Sequence, residues 1–106
     1  MSKYNSKKIT IDWITFDSQV EAQFYQEHKD QIAKVHPKYE LIPSFVKDWV
    51  KYRATVLIAD FELVNWDVID IKWMATETAK LKRKMFNYKY PDVKLHWLCY
   101  GLCESA

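Results

Sequence analysis

Apolar residues in this chain fall into short runs separated by polar turns, and their spacing distinguishes helices from strands. Runs that alternate with polar residues, or stay apolar for about four to eight residues, predict strands. Apolar positions three or four residues apart predict helices. The predicted elements are a hairpin at 8–16, a helix from 17 to about 34, an extended segment at 39–46, two strands that enter Asp60 and Asp70, a helix from about 76 to 88, and a strand at 93–100.

The order of helix, three strands, helix and strand predicts one α/β domain over residues 1–106, with helices packed against a sheet. Residues 1–7 are polar and are expected to be frayed. Each helix has one apolar face at helical spacing. These faces are Val20, Phe24, His28 and Ile32 in the first helix, and Thr78, Leu81, Met85 and Tyr88 in the second.

Asp60 and Asp70 each end an apolar strand, and Lys72 follows two positions after Asp70. A buried carboxylate without a partner is costly, so such a group is usually paired, left at a strand end or bound to a cation. A three-residue loop at 64–66 predicts that Asp60 lies directly across from Asp70, whereas a two-residue loop puts them on opposite faces. Opposed like charges repel, which favours a divalent cation between them. The alternative is an Asp–Lys ion pair that only stabilises the hairpin.

Tryptophan stands at three turn positions where glycine is usual. The chain has one glycine in 106 residues, although average usage predicts about seven. One hypothesis is that a codon read as glycine in the host is translated here as tryptophan. The alternative is that these turns tolerate aromatic residues. The pairs concerned are Asp12-Trp13, Asp48-Trp49 and Asn65-Trp66, and the codon hypothesis adds Trp73.

Composition is that of a folded domain, with 49% hydrophobic residues, 28% charged residues and a net charge of +2. No apolar run reaches the roughly 20 residues that cross a bilayer, so a cytoplasmic protein without membrane contact is predicted. Cys99 and Cys103 form no CxxC pair, which argues against zinc and favours free thiols. Residues 73–94 carry six basic and two acidic side chains. This excess attracts a phosphate backbone, although a solvated helix face explains it equally well.

Glu21 lies three positions after Ser18, which is the spacing of a capping box at the start of a helix. In that interpretation its side chain returns to the helix N-terminus. The first turn of the helix also brings Glu21 near the sheet, where a third carboxylate can reach a metal directly or through water. The pattern alone leaves both roles open.

Five sequence blocks in order resemble a family of small phage proteins within the PD-(D/E)xK nuclease superfamily. That superfamily includes the archaeal Holliday-junction resolvases, and the phage proteins are commonly labelled as of unknown function. The resemblance covers residues 8–100, nearly the whole chain. The blocks are ITFDSQVEA at 14–22, YRA at 52–54, IADF at 58–61, VIDIK at 68–72 and KRKMF at 82–86.

The resemblance implies a restriction-endonuclease-like αβββαβ core with a mixed central sheet flanked by helices. It implies an endonuclease that depends on Mg²⁺, or on Mn²⁺ in its place, and that cuts DNA, including branched DNA, as a homodimer. Lys72 then orients or deprotonates the attacking water. The implied site comprises Glu21, Asp60, Asp70 and Lys72 as catalytic residues, with Glu21, Asp60, Asp70 and the Ile71 carbonyl as metal ligands, and Arg53, Lys80, Arg83 and Lys84 as DNA contacts.

A second hypothesis is a non-catalytic DNA-binding or packaging accessory protein that keeps the fold and has lost cleavage. The intact Asp60, Asp70 and Lys72 argue against it. Trp73 argues for it, because an indole beside Lys72 could block DNA where a glycine would let it approach. Glu62 points to the same face as Asp60 but lies toward the turn, so it is left outside the predicted site.

Overall fold

The computed structural model of the chain describes residues 8–102. Its two helices are α1 (Gln19–His28) and α2 (Glu77–Lys89), and a 3₁₀ turn at Lys29–Gln31 follows α1. Its strands are β1 (Ile9–Ile11), β2 (Ile14–Phe16), β3 (Ile32–Val35), β4 (Lys38–Ile42), β5 (Phe45–Lys47), β6 (Val50–Tyr52), β7 (Thr55–Ile58), β8 (Phe61–Leu63), β9 (Val68–Met74) and β10 (Leu95–Leu102).

Four strands form the central sheet in the order β10-β9-β8-β3. β9 and β10 are parallel, and α2 is the crossover between them. β8 pairs antiparallel with β9 on one side and with β3 on the other. The sheet is therefore mixed, and the predicted α/β class is confirmed. No helix within the described residues has the length and apolar character that a membrane span needs.

The two helices pack on opposite faces of the sheet, over two separate cores. Neighbouring residues of β9 alternate between them: Ile69 joins the core under α1, and Val68 joins the core under α2. The α1 core holds Phe16, Ala22, Tyr25, Phe61, Ile69 and Ile71, and the α2 core holds Leu41, Leu57, Ala59, Val68 and Phe86.

One long antiparallel ribbon passes from the central sheet to the α2 side. β3 pairs with β8 and β4 pairs with β7, and the register is the same on both sides of the junction, from Lys34 opposite Glu62 to Lys38 opposite Ile58. Ala59 and Phe61 are two positions apart and would share a face in a regular strand, yet they lie in different cores. The ribbon therefore turns over at Asp60.

The opposite strand accommodates this turnover at His36 and Pro37. Pro37 has no N–H to donate, and His36 has a positive φ of 54°. Two backbone hydrogen bonds hold the junction, from His36 N–H to Asp60 O at 2.9 Å and from Ala59 N–H to Pro37 O at 3.0 Å. The chain is thus bent at this point but remains paired.

The first helix is shorter than its predicted range. It begins as expected, with Ser18 accepting a hydrogen bond from the Glu21 N–H, but it ends at His28 rather than near residue 34. Residues 32–35 form β3, in which Ile32 and Val35 pack against the α1 core. A helix and a strand can both bury Ile32, so the pattern was ambiguous, and pairing with β8 decided the outcome.

The second helix has the predicted bounds within one residue but buries a different face. Thr76 caps it by accepting from the Ala79 N–H at 3.0 Å. Phe86 is fully buried, whereas Leu81 and Tyr88 are exposed. The Phe86 ring packs edge-on against Tyr39 of β4 at 5.2 Å. Met85 packs against the α2 core as predicted, but the rest of the predicted face was wrong, because Phe86 is the residue that contacts the partner strand β4.

The predicted turns are confirmed. The loop between β8 and β9 is the expected three-residue loop at 64–66, closed by hydrogen bonds from Leu63 N–H to Asp67 O and from Trp66 N–H to Leu63 O. The other two hairpins have two-residue loops in which both central residues have positive φ, the geometry of type I′ turns. The φ values are 52° and 67° at Asp12 and Trp13, 51° and 68° at Asp48 and Trp49, and 76° at Trp66.

Trp73 lies opposite a β-bulge in β10. The register of β10 against β9 shifts between Cys99 and Leu102, so that Tyr100 and Gly101 together face Trp73. A Cβ at Gly101 would lie 2.2 Å from Cε3 of the indole. Only glycine fits beside this side chain.

Cys99 departs from the prediction of free thiols, because it is disulfide-bonded. Cys103, the other cysteine of the sequence, lies outside the described residues, as do residues 1–7.

Replacing Trp13 by glycine is expected to stabilise the protein by about 1 kcal/mol, because glycine adopts positive φ without the steric cost of a Cβ. The Trp13 side chain is 98% exposed, so little packing is lost. Thermal unfolding should show a midpoint higher by roughly 4–8 °C. Trp13→Ala is the control, since it removes the indole and keeps the Cβ. Equal midpoints for the Gly and Ala variants would show that φ is not the cause.

The codon hypothesis makes a separate prediction. If tryptophan replaces glycine at 13, 49, 66 and 73, these four positions share a triplet other than UGG, whereas Trp97 is encoded by UGG. Sequencing the gene tests this directly. UGG at all five positions would refute the hypothesis.

Candidate metal centre

A row of neighbouring residues crosses the sheet where the ribbon turns over. Asp60 is bonded through its backbone to His36 on one side, and the register of β8 against β9 places it across from Asp70 on the other. Trp97 of β10 is the next neighbour beyond Asp70. Since cross-strand neighbours share a face of a sheet, these four side chains start from adjacent positions.

Glu21 reaches this row from the first turn of α1. Its N–H donates to Ser18 Oγ at 3.2 Å, and the Ser18 hydroxyl donates to Glu21 Oε2 at 3.2 Å. Ser18 therefore caps the helix as predicted, and the carboxyl group of Glu21 still lies beside Asp60. One carboxyl oxygen of Glu21, one carboxyl oxygen of Asp60 and one ring nitrogen of His36 lie within 4.8 Å of one another. The two roles that the sequence left open for Glu21 are compatible.

The backbone of β9 and Lys72 hold the two aspartates. The Ile71 N–H donates to Asp60 Oδ2 at 2.6 Å, and Lys72 Nζ lies 3.4 Å from Asp70 Oδ2. Asp70 is 3% exposed and is also in hydrogen-bond contact with Asp60. The Ile71 side chain points away into the α1 core, and the role of its carbonyl as a ligand stays a prediction.

The electrostatics of this cluster favour a bound cation. Three carboxyl groups, those of Glu21, Asp60 and Asp70, face one ammonium group, that of Lys72. Burial and, after it, the neighbouring Glu21 carboxylate together raise the pKa of Asp60 to about 9. Burial also raises the pKa of Asp70, while Lys72 opposes that rise. A divalent cation would favour the ionised forms of Asp60 and Asp70.

The donor set fits Mg²⁺ or Mn²⁺. Carboxylate oxygens suit both ions, and an imidazole nitrogen at His36 suits Mn²⁺ better than Mg²⁺. His36 was absent from the predicted site. The pairing of residues 32–42 with residues 55–63 is the signal that could have identified His36. This pairing was missed because the predicted first helix extends to residue 34.

The structure brings only one of the four predicted DNA-contacting residues to this centre. Arg83 lies over the Trp97 ring with its guanidinium carbon 4.6 Å from the ring centroid, and Lys72 Nζ lies 5.9 Å from the same centroid. Trp97 was also absent from the predicted site. Because Arg83 makes no ion pair with a carboxylate in the part of the chain that is described, its N–H groups are open to an anion.

The other three predicted DNA-contacting residues are also basic. Lys80 is in the first turn of α2 with Glu77 at 3.6 Å, and Lys84 and Arg53 are exposed to solvent. The expectation that Trp73 blocks DNA beside Lys72 is not supported, because alternation along β9 directs its side chain to the face opposite Lys72.

Glu62, which was left outside the predicted site, has partners of its own. Its Oε1 accepts a hydrogen bond from the Tyr39 hydroxyl at 2.7 Å, and its other oxygen lies 3.9 Å from Lys34 Nζ. Burial raises the pKa of the Tyr39 phenol, and the Glu62 carboxylate adds to this effect.

Comparison with known proteins identifies a family without describing an activity. A family model with the description "Protein of unknown function (DUF1064)" matches residues 1–105. No curated protein and no solved structure matches the chain significantly. The family match spans every residue of the candidate centre.

Without metal, the protein is expected to lose stability as the pH rises from about 4 to about 9. The folded-state pKa of Asp60, about 9, lies above the ordinary value near 3.9, so between these values the folded state retains a proton that the unfolded state has released. Raising the pH therefore favours unfolding. Denaturant titrations in EDTA across this range should show the decline.

Asp60→Asn should flatten this profile and raise the stability at pH 8, because an amide carries no charge in the buried cluster. Asp92→Asn, at an exposed turn, is the control and should leave the decline unchanged. Parallel profiles for Asp60→Asn and the unmodified protein would contradict the electrostatic assignment.

Proposed function

We propose that this chain, which belongs to the family described as "Protein of unknown function (DUF1064)", is a metal-dependent DNA endonuclease that hydrolyses phosphodiester bonds. The observation that carries the proposal is the series of neighbouring side chains that runs from Glu21 to Asp60, from Asp60 to Asp70 and from Asp70 to Lys72. Asp60, Asp70 and Lys72 are brought together by the hairpin of β8 and β9, whereas Glu21 comes from α1, about 40 residues earlier in the sequence, so its arrival does not follow from local structure.

The order of the elements supports the same proposal. α1, the strand β3–β4, the strand β7–β8, β9, α2 and β10 follow one another as αβββαβ. β8 and β9 are antiparallel, and β9 and β10 are parallel. This is the arrangement expected of a PD-(D/E)xK nuclease, in which the acidic residues and the lysine occupy the second and third strands.

In the proposed reaction, water attacks phosphorus and gives up a proton to solvent, while the bond from phosphorus to one ester oxygen breaks and that oxygen takes up a proton. Asp60, Asp70 and Glu21 would hold the cation, which supplies positive charge to the phosphate oxygens as negative charge develops there. Lys72 lies beside Asp70, where its ammonium group can hold the attacking water and contact the same phosphate. Arg83 can stabilise a further phosphate oxygen from its position on Trp97.

Charge argues against the purely structural interpretation of the aspartates. The Asp70–Lys72 pair does exist, but it leaves Glu21 and Asp60 without a balancing cation. A pair that served only stability would not need two additional carboxyl groups directed at it. The excess acid is what a metal centre requires.

The position of Trp73 beside Lys72 was the argument for a non-catalytic DNA-binding protein. This argument no longer applies, because the Trp73 side chain is directed to the face opposite Lys72. We extend the proposal to branched DNA, cut in the cytoplasm of a phage-infected bacterium by a homodimer that provides one centre for each strand. These extensions derive from the resemblance to the resolvases.

Asp70→Ala is expected to lower the rate of DNA cleavage at least 100-fold, because it removes a ligand and the partner of Lys72. Lys72→Gln should lower the rate by roughly 100-fold or more at unchanged DNA affinity. The assay uses branched and linear DNA with Mg²⁺, with Mn²⁺ and with EDTA, under single-turnover conditions.

Asp92→Asn and Lys94→Gln remove matched charges from exposed positions outside the centre and should retain the unmodified rate. Thermal unfolding of each variant separates loss of catalysis from loss of structure. A protein that binds DNA and never cuts it with either metal would support the accessory role. Cleavage that persists in Asp70→Ala would refute the assigned centre.

A further inference from the structure

The hairpin formed by β5 and β6, residues 45–52, stands apart from the rest of the protein. Its two strands pair only with each other among the described strands. Every residue from 42 to 54 is exposed. The Phe45 and Tyr52 rings stack on one another at 4.8 Å across the pair rather than on a core. We refer to residues 45–52 as the arm.

An isolated two-stranded hairpin is only marginally stable in water, so an arm of this kind usually gains its order from a partner. Four of its apolar side chains are exposed, Phe45, Val50 and Tyr52 on one face and Val46 on the other, and exposed apolar residues of this kind mark interaction surfaces. Neither α1 nor α2 packs against it. The partner is therefore outside the described part of this chain.

The charge of the arm indicates which kind of partner it accepts. Lys47 and Lys51 lie within the arm, and Arg53 follows it directly. None of the three makes an ion pair with a carboxylate among residues 8–102. Asp48 is the one acidic residue of this segment, which leaves a net charge of +2. Unpaired cations on an exposed surface favour a polyanion.

The shape and reach of the arm fit duplex DNA. A two-stranded β-ribbon can enter the major groove. The arm is the far end of the ribbon that carries Asp60, and Val50 lies ten residues before Asp60. At about 3.3 Å per residue, the arm reaches at most about 33 Å from the metal centre. One turn of DNA is about 34 Å long.

We infer that the arm is a DNA-binding element, which contacts phosphates with Lys47, Lys51 and Arg53 up to about one helical turn from the phosphate that is cut. The inference rests on the proposed function for the nature of the ligand. It adds that affinity and cleavage reside in separate parts of the ribbon. A second copy of this chain is the competing partner, and the experiment distinguishes the two.

The test measures binding of the full chain to a 24-base-pair duplex in EDTA, over a series of salt concentrations. The arm variant combines Lys47→Gln with Lys51→Gln. The control combines Lys38→Gln with Lys94→Gln, which removes two exposed positive charges from other parts of the fold. Each phosphate contact contributes about 0.9 to the slope of log K against log salt. The arm variant should therefore lower the slope by about two, and the control should leave it nearly unchanged.

Equal slopes for the two double variants, whether both fall or neither does, would overturn the inference. A change in sedimentation behaviour with an unchanged slope would also overturn it, because the arm would then be an interface between copies of the chain. Cleavage by the unmodified protein with Mg²⁺ is measured separately. If DNA binding depends on the arm but the protein never cuts DNA, the proposed nuclease activity is refuted and the DNA-binding role of the arm is retained. If the protein cuts DNA and neither binding nor cleavage depends on the arm, the nuclease activity is retained and the role of the arm is refuted.

Discussion

Mutual repulsion of buried carboxyl groups is the constraint around which this structure is organised. Glu21, Asp60 and Asp70 meet in a site that raises the pKa of both aspartates, chiefly through burial. Such a cluster persists only where the surrounding backbone holds its members in place. Here a helix cap positions Glu21, the Ile71 N–H positions Asp60, and Lys72 pairs with Asp70. The protein thus accepts an unfavourable arrangement in the absence of a cation, which is a common property of metal centres.

Much of this centre could be predicted because strand pairing obeys a simple periodicity. The three-residue loop at 64–66 follows from parity, and it places Asp60 opposite Asp70 as expected. His36 and Trp97 could not be found in this way. Their positions depend on pairings between distant segments, and no local pattern specifies which strand will lie beside Asp60 or Asp70. The early end of the first helix and the different buried face of the second helix have the same cause. Pairing with β8 determines where the first helix ends, and packing against β4 determines which face of the second helix is buried.

The five tryptophans divide into two groups by their surroundings. Trp97 has a defined environment, with Arg83 over its ring and Lys72 nearby. Trp13, Trp49 and Trp66 have positive φ and highly exposed side chains. Trp73 lies against the bulge at Gly101, where no other residue type fits. Replacement of glycine would account for the positive φ at Trp13, Trp49 and Trp66, whereas Trp73 does not have a positive φ and its place in the codon hypothesis rests on the sequence alone.

The same turnover that creates the metal centre also sets the direction of the arm. β3 and β8 lie in the central sheet, and β4 and β7 continue the same register beyond the bend at His36 and Asp60. A change of register in this ribbon by one residue would move His36 away from Asp60 and turn the residues on one strand of the arm to the opposite face. The geometry of the centre and the orientation of the arm are therefore specified together. Any DNA held by the arm is placed in a fixed relation to the cluster of carboxyl groups, without a further interface to align the two.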